Sequence, residues 1–149
     1  MYLPLQAHFL FSLNNYSMNG YTGNIEQETL ENENFRKVLY TSAYMQLVVM
    51  SIPAGTDIGE EVHGQDQFLR IEEGEGKAVL DGVEHALTDG FAVVVPAGTR
   101  HNILNTSESE PLKLYSLYAP PHHADGTVHV TKAEAIASHE EYLGDTTEN

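Results

Sequence analysis

Residues 90–105 read GFAVVVPAGTRHNILN. The run FAVVV (91–95) is apolar and β-branched, too short for a helix, and bounded by Gly90 and the turn PAGT (96–99). A run of that kind is a strand. RHNILN (100–105) then alternates, which puts His101 and Ile103 on one face of the next strand. This strand–turn–strand unit repeats in both directions. Upstream, KAVLDGVEHAL (77–87) holds two short strands about Asp81-Gly82, a dipeptide suited to a two-residue hairpin turn. QFLRIEE (67–73) alternates too, with Gln67, Leu69 and Ile71 on its apolar face. FRKVLYTS (35–42) and YMQLVVMSI (44–52) precede it, and a second PAGT (53–56) makes the turn between. Downstream, LKLYSLYA (112–119) follows the polar turn TSESEP (106–111). Eight or nine short strands at this spacing predict an all-β sandwich or barrel, with nothing of βαβ character.

One segment breaks the pattern. KAEAIASHEEYL (132–143) is built of good helix formers; Thr131 can cap it, Glu134 completes a capping box, and Gly144 can stop it. Ile136 and Leu143 would form its apolar stripe. The acidic, asparagine-rich run 24–35 reads as a solvated arm.

The 149 residues amount to one domain. With 22 acidic and 7 basic residues the net charge is −15, which repels phosphate backbones and anionic lipid. Nucleic acid and membrane are therefore not expected partners. There is no cysteine, so disulfides, thiolate metal sites and cysteine nucleophiles are excluded. Residues 1–24 read as a loosely structured extension: they lack a basic start and a clear cleavage site, and Met18 is an alternative first residue. A cytoplasmic protein is expected. The barrel is placed at 25–121, and a histidine-containing loop with the helix at 122–149.

EEVHGQDQF (60–68) stands between two strands yet carries a carboxylate, an imidazole and a carboxamide. Glu61 and His63, two apart, point the same way. Gln67 opens the next strand on its inward face. His101 shares the inward face of Ile103. Two imidazoles, one carboxylate and one amide oxygen can thus converge at a barrel mouth.

These stretches resemble the paired motifs of the cupin superfamily. The second motif is met in every spacing by Gly90, Pro96, Gly98, His101 and Asn105. The first is met in spacing by Glu61, His63, Gln67 and Gly74, but Glu61 stands where histidine is commonest and Gln67 where glutamate is. The tail from Tyr118 to Ala135 is similar to that of small bacterial cupins of the mannose-6-phosphate-isomerase-like group. The resemblance implies a double-stranded β-helix, or jelly-roll barrel, with a short C-terminal helix, a homodimer, and a divalent metal ion held by Glu61, His63, Gln67 and His101. Two histidines and one carboxylate suit Fe(II), Mn(II) or Ni(II), and zinc also accepts such ligands. The implied function is a metal-dependent enzyme acting on a small oxygenated substrate (a sugar, sugar acid or keto acid) by isomerase- or lyase-like chemistry. A dioxygenase and a non-catalytic ligand-binding cupin are the alternatives.

Other histidines weigh less. His122, His123 and His129 are expected in a loop that packs on the barrel, in preference to a second metal site. His8, His85 and His139 read as surface residues. Tyr115, Tyr118, Met50, Phe68 and Arg70 are candidates to line or flank the pocket, and alternation does not say which tyrosine faces in.

Overall fold

The structure, a computed structural model, describes residues 18–148. Most of the N-terminal extension, with His8, lies outside those residues. The chain forms α1 (Ile25–Glu31), β1 (Arg36–Thr41), β2 (Gln46–Ile52), β3 (Asp66–Glu73), β4 (Gly76–Leu80), β5 (Val83–Leu87), β6 (Ala92–Val95), β7 (His101–Asn105), β8 (Leu112–Ala119), β9 (Val128–His129) and α2 (Lys132–Ala137). Two antiparallel sheets face each other, in the order β6-β3-β8-β2-β1-β9 and β5-β4-β7. The strand spacing predicted an all-β sandwich or barrel, and the jelly roll is the form that the resemblance implied. Among the described residues no helix is long and apolar enough to cross a membrane.

The Asp81-Gly82 hairpin forms as read. Asp81 (φ 47°) and Gly82 (φ 82°) both take the left-handed conformation that a tight turn between twisted strands needs. The inward faces of the strands meet in one core, including Val48, Met50, Ile52, Leu69, Ile71, Ala78, Val95, Ile103, Leu112 and Leu114. FAVVV buries only one face. Val93 and Val95 point in, while Phe91 and Val94 stand exposed on an edge strand.

Three local expectations are corrected. Residues 25–31 are helical and not a solvated arm. The Asn24 side chain accepts from Gln27 N at 3.1 Å, and Glu26 and Glu28 sit in the first turn, where the helix dipole favours negative charge. The helix is then tied to the barrel by Lys113, whose Nζ donates to the carbonyls of Leu30 (2.6 Å) and Asn32 (2.9 Å). At the other end, α2 stops at Ala137 and not at residue 143. Thr131 caps it as expected, accepting from Glu134 N at 3.2 Å, but Glu134 reaches back to Val130 N and not to the cap residue. Ser138 already has extended backbone (ψ 140°), and residues 138–148 run on as an irregular strap. Ile136 and Leu143 are exposed and form no packed stripe; only Ala135 packs against the core. Finally, β9 was not foreseen, because two residues are too few to show a period.

Gly74 combines a left-handed backbone with a close backbone approach. Its φ is 99°, and a Cβ there would lie 2.5 Å from the Pro111 carbonyl oxygen. Gly74→Ala is expected to lose about 1–3 kcal/mol of stability, from a strained dihedral and a backbone clash that no rotamer can relieve. Urea unfolding of the two proteins measures it, and an unchanged midpoint would show that β3 and β8 can part here without cost.

Candidate metal centre

Each candidate ligand is positioned by backbone pairing. Residues 57–61 run beside β7 and extend the smaller sheet. Glu61 N donates to His101 O (2.9 Å) and His101 N to Glu61 O (3.0 Å), so the two side chains start from adjacent positions. His63 is held two residues on, its carbonyl accepting from Gly98 N at 2.9 Å. Gln67 lies near the start of β3, paired with Tyr118 and Val95. One ligand atom each from Glu61, His63 and His101 lie within 4.8 Å of one another. Gln67 joins them, its Oε1 3.1 Å from His63 Nε2.

The hydrogen bonds fix what each atom offers. His63 Nδ1 donates to Gln65 O at 3.1 Å, and His101 Nδ1 donates to Thr99 O at 2.8 Å. With Nδ1 the donor, the tautomer so fixed turns an Nε2 lone pair inward in each ring. The Gln67 amide nitrogen donates to Ser116 Oγ at 3.0 Å, which turns the amide oxygen toward His63. A lone pair thus faces a lone pair at 3.1 Å. His101 Nε2 is buried without a partner among the described residues, and it lies 3.8 Å from Glu61 Oε2, another acceptor. Four acceptors converge and no donor meets them. A divalent cation fits that set; a water could satisfy at most two of them.

The roof of this cluster was not read from the sequence. His122 stacks over it, its ring centroid 4.9 Å from that of His63 and 5.2 Å from that of Tyr118. Tyr118 faces in and is buried, 5.8 Å from His63 by ring centroids. Tyr115 faces out, against Phe68. Phe68 and Arg70 lie on the outer face of β3, where Arg70 pairs with Glu72, and Met50 is core, so none of the three lines the cluster. The one signal for the roof was the histidine pair itself, directly after a strand that ends beside Gln67.

Buried Gln46 clamps this loop. Its Oε1 accepts from His122 N (3.3 Å) and His123 N (2.9 Å), and its Nε2 donates to His123 O (2.8 Å). The strap completes the clamp. Glu140 accepts from His123 Nδ1 and Ala124 N, both at 2.7 Å, and Tyr142 N donates to His122 O at 3.2 Å. Burial, with the nearby charges of His123, His63 and Arg36, pushes His122 down to about 4, so its ring is neutral at pH 7. Burial pushes the Tyr118 phenol up, and the Glu61 carboxylate adds to it. Burial also disfavours the Glu140 anion, but the bonds from His123 and Ala124 outweigh it and hold the carboxyl down at about 2.

A pH dependence follows for Glu140. Its folded value lies below the 4.5 of a free carboxyl, so the unfolded chain takes up a proton first as pH falls. The contribution is whole above about 4.5 and is lost as pH falls toward about 2. Glu140→Gln is expected to lower the thermal midpoint at neutral pH, with the gap to wild type closing across that window. A gap independent of pH would show that the carboxylate charge has no part in holding the loop.

Larger clefts lie elsewhere: about 660 Å³ beside α1, lined by acidic and amide residues, and about 540 Å³ between β5 and β6. The cluster is marked by chemistry rather than by size. Comparison with known proteins gives the same fold. The cupin domain family matches residues 48–118. A Bacillus halodurans protein of known crystal structure is 47% identical, with a TM-score of 0.77, covering 79% of this chain and 94% of that one. The Bacillus subtilis protein YrkC is 46% identical over 133 residues, covering 85% of this chain and 71% of its own, and an Acanthamoeba polyphaga mimivirus protein is 40% identical over 122 residues, covering 79% and 76%. KdgF from Halomonas, at 22% identity and a TM-score of 0.53, shares the fold. With two antiparallel sheets closed into a jelly roll and both of its motifs on that barrel, the chain belongs to the cupin superfamily.

Proposed function

We propose that Glu61, His63, Gln67 and His101 hold one divalent ion, of iron, manganese, nickel or zinc, and that the protein is an enzyme acting on a small oxygenated molecule such as a sugar, sugar acid or keto acid. The observation that carries this is the buried, unpartnered His101 Nε2 facing three further acceptors. Such an ion supplies a Lewis acid that polarises a bound carbonyl or alkoxide oxygen. The chain supplies the rest. His122, neutral and 4.9 Å from the His63 ring, is a proton acceptor over the cluster, which an isomerase or lyase needs and a passive binder does not. Tyr118 keeps its phenolic proton and can donate it to a ligand oxygen. Gln67 cannot take a proton, so no base stands where the commoner glutamate would, and His122 is the group proposed for that role.

A second reading, an iron dioxygenase, is favoured by the two-histidine, one-carboxylate set. Oxygen uptake with candidate substrates separates the two.

A further proposal concerns assembly. The edges of β5 and β6 are unpaired, and Val83, Phe91 and Val94 stand exposed beside the apolar cleft between them. Edges with exposed apolar side chains invite pairing, and Glu84 is the one acidic residue on these two strands. We read this face as the contact of a homodimer. Light scattering at micromolar concentration is expected to give twice the chain mass, and a monomer that Val94→Lys leaves unchanged would count against it.

The metal site is tested by metal content per chain after dialysis. His63→Ala and His101→Ala are each expected to abolish most binding, and the double variant to be little worse, because the ligands act as one unit. Gln67→Glu should hold metal at least as tightly as wild type. Glu61→Gln, which removes the sole ligand charge, should hold it less. If wild type and His101→Ala retain equally little metal after expression in metal-rich medium, the site is vestigial and the enzyme reading falls with it.

A further inference from the structure

Of the rings about the ligand cluster, all are pinned but one. His63 and His101 are held by their Nδ1 bonds to the carbonyls of Gln65 and Thr99. Tyr118 is 2% exposed and packed in the core. His123 donates from Nδ1 to Glu140 at 2.7 Å. The His122 ring forms no hydrogen bond among the described residues. It is half-buried and leans on other rings: His123 at 4.7 Å, His63 at 4.9 Å and Tyr118 at 5.2 Å between centroids.

Its main chain is the opposite case. His122 N donates to Gln46 Oε1 at 3.3 Å, and its carbonyl accepts from Tyr142 N at 3.2 Å. His123 and Ala124 are bonded in their turn to Gln46 and Glu140. Rotation about the His122 side-chain bonds therefore carries the ring off the cluster without breaking a hydrogen bond. Lifting the loop would break every one of these.

The cluster needs such a movement. The slot bounded by Ile58, Gly59, Glu61, Gln67, His101 and Ile103 has no room for a water-sized sphere. Gln67 and His101 are buried, Ile103 is core, and Tyr118 cannot leave without opening the barrel. Glu61 and His63 are half-exposed, but as ligands they stay in place. The one cover with solvent behind it and no bond to hold it is the His122 ring.

We infer that His122 is a gate, whose ring swings out while the loop main chain stays, and that it decides which ligands reach the ion. The opening it leaves is one imidazole wide, between fixed Tyr118 and His123. It passes the oxygen-bearing end of a small molecule, such as a hydroxy ketone or hydroxy acid, and stops the interior of a polymer. Swung back against a bound ligand, the same ring is the proton acceptor of the proposed reaction. The ligand so admitted rests on the metal reading; the motion does not.

The test uses acetohydroxamate, which binds metals through two oxygens, on the full-length cobalt-loaded chain, followed by the cobalt absorption band. Apparent affinity falls with the fraction of open form. With about a tenth of the molecules open, His122→Ala is expected to bind the probe about tenfold more tightly than wild type. His122→Phe keeps a ring of similar size without its nitrogens and should stay near wild type. Carbon-13 relaxation of the histidine rings, from nanoseconds to milliseconds and without metal, reads the motion itself. His122 should move while His63, His101 and His123 stay still. A His122 ring as still as the others overturns the gate. So does a His122→Ala protein that binds the probe no more tightly than wild type, or a His122→Phe protein that matches His122→Ala. A chain that holds no cobalt ends the metal reading instead, and ring relaxation then decides the gate alone.

Discussion

His63 and His101 each give their one N–H to a backbone carbonyl, at Gln65 and Thr99, and this decides everything that faces them. With Nδ1 committed, each neutral ring has only a lone pair to turn inward. Gln67 is committed in the same sense, because Ser116 takes its amide proton and leaves the oxygen toward His63. Three side chains that might have satisfied one another are fixed so that they cannot. The backbone pairing of Glu61 with His101 then brings a carboxylate to the same point. The cluster thus presents acceptors to one another, and the cost is the repulsion of like dipoles in a buried place.

The roof follows a different logic. His122 is not fixed by a bond to its own ring; the loop that carries it is fixed from below and from above. Gln46, buried in β2, meets two amides and one carbonyl of the loop, while Glu140 and Tyr142 hold it from the strap. The last turn of the chain belongs to the same device, since Glu148 accepts from the amides of Asn19 and Gly20 and from the Tyr40 hydroxyl. A terminal segment without regular structure therefore sets where an imidazole stands over the ligand cluster.

The barrel was legible because strands such as β3 and β7 bury one face, and burial writes a period of two into the sequence. The Asp81-Gly82 turn was legible because few residues accept left-handed backbone. The helix at 25–31 was missed although its signal, Asn24 with Gln27 three residues on, was present; the surrounding acids and amides were read as solvation when Asn24 is a cap and Glu26 and Glu28 are dipole partners. The end of α2 was misplaced because helix propensity in residues 138–143 lost to tertiary bonds, those that draw Glu140 and Tyr142 to the loop. The grouping of Glu61, His63, Gln67 and His101 could be anticipated from spacing along pleated strands. The approach of His122 could not, because it depends on a loop whose path is set by Gln46 and Glu140, residues far away in sequence and silent in any local pattern.

The interior of the barrel divides by charge. At one end acceptors converge and call for a cation; at the other, Arg36 is a cation that lacks an anion. Tyr118 lies between, with its ring 5.8 Å from His63 and 5.3 Å from His123. Its neutral phenol is what lets the two ends coexist. Burial and the Glu61 carboxylate both resist ionisation of that phenol. Each polar end therefore keeps its unmet valence, inside a core that is otherwise aliphatic. An all-apolar barrel of the same strands would have no such groups to satisfy.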